Sequence, residues 1–256
     1  MKIRNLAVIQ VRTDSKRLPR KALLPLAGIP MIGFMIKRLE LSKLIDKIIV
    51  ATTESNSDDQ LCAYLSSIGI DFFRGSINDV LGRVFYAAKG FEPKTVIRLT
   101  GDCPLIDAKI IDQLITKYYK NNADYANLDL SFAEGLDAEV IDFKVLKVCQ
   151  DEAKLISQRE HITQYIHNNK YRFKMISIHN SIDESMIRIV VDEKIDYEVV
   201  TKIVNNLNRL FTNPTYSFAE IKRFLLREPG LLKLNSHIIR NEGLIISLAS
   251  DGLFKS

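Results

Sequence analysis

Arg12, Lys16, Arg17, Arg20 and Lys21 crowd one short stretch near the start of the chain, Gln10-Val11-Arg12-Thr13-Asp14-Ser15-Lys16-Arg17-Leu18-Pro19-Arg20-Lys21. The stretch follows a short apolar run, residues 6–11, that reads as a buried strand. In an open α/β sheet ligands sit beyond the carboxyl ends of the strands. A loop there with free backbone N–H groups and several cations suits a triphosphate. Arg12 and Arg17 can fork onto phosphate oxygens and Lys21 can act as a mobile point charge, while Asp14 is given no contact. By charge alone the same stretch is equally a solvated basic loop, which is the commoner case. Asp102 ends another apolar run and comes to the same sheet edge. A carboxylate there can hold Mg²⁺, which prefers oxygen ligands and keeps several waters. It can also cap the next turn. Asp192 stands between residues 186–191, read as a strand, and a long helix, so it too is a candidate cap.

These side chains need a frame that brings them to one edge. Residues 6–11, 47–51, 71–74 and 95–99 read as strands, and 30–41, 60–68, 79–89 and 108–119 as helices between them. That alternation predicts an α/β fold: a doubly wound, mostly parallel, Rossmann-like sheet with right-handed crossovers. The second half is less regular. Residues 138–141, 172–178 and 186–191 read as strands, and 158–167, 193–210 and 218–227 as helices, the last stopped at Pro229-Gly230. We expect one nucleotidyltransferase domain over residues 1–230 and an extension over 231–256. Within the domain, residues 138–180 form a small β-containing insertion for the acceptor and dimerisation.

Bulk properties narrow the function class. The 256 residues are 46% hydrophobic and 26% charged, ordinary for a chain that buries a core. A formal charge of +5 leans only weakly toward anionic ligands, and no basic face of the kind nucleic-acid binders show stands out. Cys62, Cys103 and Cys149 are far apart, with no C-x-x-C pair for zinc or disulfides, so a reduced, cytoplasmic setting is expected. The apolar run at 6–11 is too short for a signal core or a membrane span. Cys103 reads as a small buried residue, and His167, His179 and His237 as structural.

The order of residues adds what charge cannot. Arg12, Ser15, Arg17, Leu18, Pro19 and Lys21 match the A-R-x-x-S-x-R-L-P-x-K opening of the cytidylyltransferases that activate 3-deoxy-manno-octulosonate and acylneuraminates. The resemblance is closest to their spore coat polysaccharide biosynthesis branch. Val11 replaces a usual small residue and Arg20 a usual Gly. Further blocks match: Ala51-Thr52-Thr53; Arg74-Gly75-Ser76 with Asp79-Val80-Leu81 and Arg83, where Gly82 replaces a usual Asp; and Leu99 to Leu105. Gly135 to Val140, Arg159-Glu160-His161-Ile162-Thr163 and Arg188 to Asp192 match later blocks, and a weaker match runs through Asn241-Glu242-Gly243. The resemblance implies transfer of CMP from CTP to a sugar acid or sugar-phosphate-like acceptor, with Mg²⁺ and release of pyrophosphate, in surface polysaccharide or glycoconjugate biosynthesis.

It also implies roles. Arg12 and Lys21 are catalytic; Ser15, Arg17, Thr53, Ser76, Val80 and Thr100 bind nucleotide; Asp102 and Asp192 bind the metal. Asp137, Glu139, Arg159 and His161 face the acceptor, with His161 expected on a helix. A homodimer is common among such proteins. Two other readings are weighed. A GT-A-type glycosyltransferase normally needs a D-x-D-like pair, but Asp102 is followed by Cys103-Pro104. An inactive nucleotide-binding relative would have damaged phosphate or metal residues, yet Arg12, Lys21, Asp102 and Asp192 are all present.

Overall fold

The computed structural model describes residues 3–211, 213–240, 242–249 and 251–254. Its strands are β1 (Asn5–Gln10), β2 (Pro25–Leu26), β3 (Ile29–Pro30), β4 (Lys47–Thr53), β5 (Asp71–Gly75), β6 (Thr95–Thr100), β7 (Tyr125–Leu128), β8 (Glu139–Asp142) and β9 (Met175–Ile178). Seven of them form one sheet in the order β5-β4-β1-β6-β8-β7-β9. Neighbours run parallel except at β8, which is antiparallel to β6 and to β7. The mostly parallel α/β sheet therefore agrees with the sequence. β2 and β3 form a separate hairpin whose turn residues, Ala27 and Gly28, both have positive φ, the requirement of a type I′ turn.

Period-two alternation splits the core between the two faces of the sheet. Ala7 and Ile9 of β1 point to the larger cluster, with α1 (Met31–Leu39), α2 (Asp59–Ser67), α4 (Ala108–Lys120), α8 (Lys194–Leu207) and α9 (Phe218–Arg227). Leu6 and Val8 point to the other, with α3 (Val80–Lys89), α5 (Phe143–Glu152), and α7 (Gln164–Asn168). Side-chain caps fix where helices begin. Asp79 accepts from the Gly82 N–H at 2.9 Å, Asp107 from the Lys109 N–H at 2.8 Å, and Asp142 from the Lys144 N–H at 2.8 Å. Short helices α6 (Ile156–Glu160), α10 (Pro229–Lys233) and α11 (Glu242–Ala249) complete the set. Among the described residues no helix is long and apolar enough to cross a membrane.

The structure departs from the sequence reading in the second half. Residues 186–191 form no strand: they leave a turn at Met186 and make only an isolated bridge, Arg188 with Glu134, because their neighbour is a loop. The Ile189 and Val191 N–H groups donate to the carbonyls of Glu134 and Asp102, both at 2.8 Å. The helix expected over 158–167 breaks into α6 and α7. His161 sits in the break with φ −109° and ψ 86°, and Thr163 beyond it donates to Glu139 at 2.8 Å. β7 and α5 were not anticipated. The strands of 138–180 continue the main sheet, and its helices cover one face. Pro229 does end α9, and then, as the first residue of α10, starts a new helix, where a missing N–H costs nothing. Asn241 lies outside the described residues.

Candidate active site

The basic loop leaves β1 and is pinned by one buried carboxylate. Asp58, fully buried, accepts from the Thr13 N–H at 2.7 Å and the Thr13 hydroxyl at 2.6 Å. It also accepts from the Thr52 hydroxyl at 2.8 Å, the Thr53 N–H at 3.0 Å and the Thr53 hydroxyl. Burial alone would raise its pKa, but these donors hold it below the ordinary carboxylate value. The Thr13 carbonyl then accepts from the Ser15 and Arg20 N–H groups at 2.9 and 2.8 Å, folding the loop back on itself. Arg20 takes a left-handed φ of 59° at the position where the resembled family carries Gly, the residue that adopts it freely. Gly101 lets β6 approach the loop, since a Cβ there would lie 2.6 Å from that of Val11.

At the end of the loop Lys21 joins two distant segments. Its ammonium lies 2.7 Å from Asp192, 3.2 Å from Asp102 and 2.8 Å from the Val191 carbonyl. Burial works against its charge, but Asp102 and Asp192 outweigh burial and raise its pKa. Asp102 is likewise pushed up by burial, yet the Lys21 charge and a Thr100 hydrogen bond bring it below the ordinary value. Neither carboxylate caps a helix. α4 is capped by Asp107, and at α8 the Asp196 carboxylate receives the Asp192 and Glu193 N–H groups, both at 3.0 Å. Asp192 instead meets Arg17 at 3.2 Å and Arg188 at 3.6 Å.

One cation, the Lys21 ammonium, touches both carboxylates at once. A divalent ion bound by both therefore fits the donor set. Among the described residues no third His, Cys, Asp or Glu completes an all-protein site. That suits Mg²⁺, which takes one or two carboxylates and completes its shell with water and substrate phosphate.

These groups line a cavity of about 830 Å³ with Arg12, Ser15, Val80, Thr100, Gly101 and His161. Its floor holds a residue given no role by sequence. Arg83 is buried, donates to the Ser76 and Ile77 carbonyls at 2.7 and 3.1 Å, and keeps its Nε without a partner. Burial and the neighbouring Arg12 guanidinium lower its pKa to about 10. Two adjacent guanidiniums, one exposed and one buried, are arranged to meet an anion. His161 also presents a buried Nε2 without a hydrogen bond. Burial lowers its pKa, Glu160 opposes the shift and Arg98 adds to it, so the ring is neutral at neutral pH.

Other expected site residues stand apart from the cavity. Thr53 is buried against Asp58. Ser76 is exposed, and its hydroxyl accepts from the Asn78 N–H at 3.3 Å. Asp137 pairs with Arg240 at 2.6 Å and accepts from the Gly135 N–H. Glu139 is held by Arg98 at 2.9 Å, Thr163 at 2.8 Å and Tyr125. Arg98 in turn reaches Gln10, in the cavity wall, at 3.0 Å. Glu139 therefore sits behind the wall.

Arg159, expected to face an acceptor, is buried and forks onto Asp79, the cap of α3. Its remaining N–H groups go to the Gln150 carbonyl and side chain at 3.1 and 2.9 Å. Its work is to fix the start of α3, and hence Val80 and Arg83. Arg159→Ala should therefore lower stability by roughly 3–5 kcal/mol, the scale for removing one partner of a largely buried pair. Urea unfolding of the variant checks this, and a loss below about 0.5 kcal/mol would contradict it.

Arg83 was visible in sequence only as a member of a matched block, and Asp58 lies in no matched block at all. Nothing local marks a carboxylate as a hub for a loop 45 residues away.

A family model described as "Cytidylyltransferase" matches residues 6–225. An uncharacterized protein of Methanocaldococcus jannaschii is 35% identical, the match covering 91% of this chain and 95% of that one. The spore coat polysaccharide biosynthesis protein SpsF of Bacillus subtilis is 29% identical over 88% of this chain and 95% of its own. The solved structure of a cytidylyltransferase from Leptospira borgpetersenii superposes with a TM-score of 0.85 at 32% identity, covering 93% of this chain and all of that one (100%).

Proposed function

Because the chain belongs to the cytidylyltransferase family, we propose that it transfers CMP from CTP to a sugar acid or sugar-phosphate-like acceptor, releasing pyrophosphate, in surface polysaccharide or glycoconjugate biosynthesis. The observation that carries the reading is the meeting of Lys21, Asp102 and Asp192 at the floor of a cavity rimmed by Arg12 and Arg17. The similarity to SpsF supports the polysaccharide setting.

In the reaction an acceptor oxygen attacks the α-phosphorus of CTP. The new P–O bond forms as the bond to the β-phosphate breaks, and pyrophosphate leaves with the electron pair. The protein's part is positioning and neutralising charge. Arg12 and Arg83 clasp phosphate oxygens, and Lys21 faces the charge that builds as the leaving group departs. Arg17, now among carboxylates, is exposed enough to swing onto the triphosphate. Asp102 and Asp192 hold Mg²⁺, which supplies charge neutralisation and alignment of the phosphates. His161, neutral and with a free Nε2, accepts a hydrogen bond from an acceptor hydroxyl. An acceptor that reacts through an ionised oxygen needs no base. A homodimer and a cytoplasmic setting belong to the same reading.

The test is a pyrophosphate-release screen of four nucleoside triphosphates against sugar acids and sugar phosphates, with and without Mg²⁺. Release with CTP and Mg²⁺ alone is expected. Turnover with a different nucleotide and none with CTP would overturn the CMP assignment. Product formed from a nucleotide sugar without pyrophosphate would indicate a glycosyltransferase.

A further inference from the structure

Leu253 and Phe254 line the cavity beside Ile77, Val80 and Ile156, although the family match stops at residue 225. They belong to a strap, residues 242–249 and 251–254, that is tied down at both ends. At one end Glu242 reaches Arg17 of the basic loop at 3.4 Å. At the other, the strap adds a short antiparallel pairing to the start of α6. The Ile156 N–H donates to the Gly252 carbonyl at 2.8 Å, and the Phe254 N–H donates to the Lys154 carbonyl at 2.7 Å. Asp251 accepts from the Ser157 hydroxyl at 2.6 Å and its N–H at 3.0 Å. Ser247 donates to Glu160 at 2.8 Å between the two ends.

The cavity so formed has two unlike ends. Cations and carboxylates gather at the loop, β6 and Asp192. Apolar side chains gather where α3, α6 and the strap meet, with the Phe254 ring 5.3 Å from the Arg159 guanidinium that holds the cap of α3. A nucleoside triphosphate has the same division: a polyanionic tail and a flat base with two apolar faces. We infer that the strap is part of the nucleotide site, and that Leu253 and Phe254 wall the nucleoside end of the bound triphosphate. This rests on the nucleotidyl-transfer reading and deepens it. An open, exposed side chain such as Leu253, 71% exposed, gains cover when a base lies against it. The tie from Glu242 to Arg17 couples the strap to the loop that receives the phosphates.

The experiment measures CTP binding to the full chain by calorimetry with Mg²⁺, for wild type, Phe254→Ala and Asp251→Ala. It adds hydrogen exchange of peptides covering 242–254 with and without CTP. Phe254→Ala should weaken CTP binding about five- to 150-fold, the range for losing an aromatic contact to a base. Asp251→Ala, which loosens the strap without touching the cavity wall, should weaken it in the same direction. CTP should protect the strap peptides in the wild type. Affinities within two-fold of wild type in both variants, or no protection, would overturn the inference. An active enzyme with such unchanged variants would leave the transfer reading intact. A wild type that binds CTP and protects the strap, yet releases no pyrophosphate with any acceptor, would sink the transfer reading and leave the strap's role standing.

Discussion

Lys21→Ala is expected to cut the rate of pyrophosphate release from CTP by about 10²–10³-fold, the loss seen when one preorganised charge stabiliser is removed from an active site. Lys21 is only 11% exposed and its ammonium already has three oxygen partners, so it is held at the site before substrate arrives. The variant loses more than a positive charge. Asp102 and Asp192 are left facing each other without the cation between them, and Arg17 and Arg188 are the nearest replacements for Asp192. Mg²⁺ should then bind the free variant at least as well as it binds the wild type, because the ammonium no longer competes for the same oxygens. Turnover would still fall, since the charge facing the leaving group is gone. Lys21→Arg should rescue poorly, because a planar fork does not replace a compact ammonium among three acceptors. Steady-state rates at saturating CTP and acceptor, with circular dichroism to confirm the fold, decide the matter. Turnover of Lys21→Ala within ten-fold of wild type would end the proposed role.

The second large effect concerns stability. Asp58→Ala should destabilise the protein by about 3 kcal/mol or more, since it strands buried donors of Thr13, Thr52 and Thr53 that have no water to turn to. Asp58→Asn keeps the shape but offers one acceptor oxygen in place of two, and should cost less. The sign of the pH dependence follows from the depressed pKa of this carboxyl. Its stabilising contribution is fully present above the pKa it has in the unfolded chain, about 4. That contribution is lost as pH falls through the lower folded value. The gap in unfolding free energy between wild type and Asp58→Asn should therefore be constant near neutrality and narrow in acid. Denaturant titrations at several pH values read this directly. A gap that widens as the pH falls would contradict the assignment of Asp58 as an ionised hub.

The sheet was legible in the sequence where apolar runs are continuous. β1, β4 and β6 are buried on both faces, and each carries apolar residues on both sides of the pleat, Leu6 to Ile9, Ile48 to Ala51, and Val96, Ile97 and Leu99, so the run stands out from its flanks. β7 is short and carries Asn127 facing partly outward, so it leaves no such mark. Residues 186–191 illustrate the converse. Ile187, Ile189, Val190 and Val191 are all buried, which looks like a strand, but burial is achieved against a loop and a helix with no ladder beside them. At the site, Arg12, Arg17, Lys21, Asp102 and Asp192 were legible through the order of residues around them, and they line one cavity, whereas charge alone read equally as a solvated loop and two helix caps. Arg159 and Glu139 have the same chemistry in sequence, yet each has its demands met by buried neighbours, Asp79 and Gln150 for one, Arg98 and Thr163 for the other. Whether a charged side chain faces a ligand or a partner within the protein depends on contacts that sequence spacing does not encode. Arg83 shows the opposite failure: an arginine within a helix reads as a surface residue until its burial is seen.

The three contacts of the Lys21 side chain join residues 81, 170 and 171 positions apart, and the loop before it is held from 45 positions away. The full set cannot form in a fragment that lacks residues 191 and 192. Closing such long stretches of chain is entropically unfavourable until the central sheet is already assembled, so no folding intermediate with only the first strands paired contains this site. Recovery of nucleotidyl transfer during refolding is accordingly a late clock, one that reports on completion of the whole domain, whereas helical signal and collapse report on its earlier half.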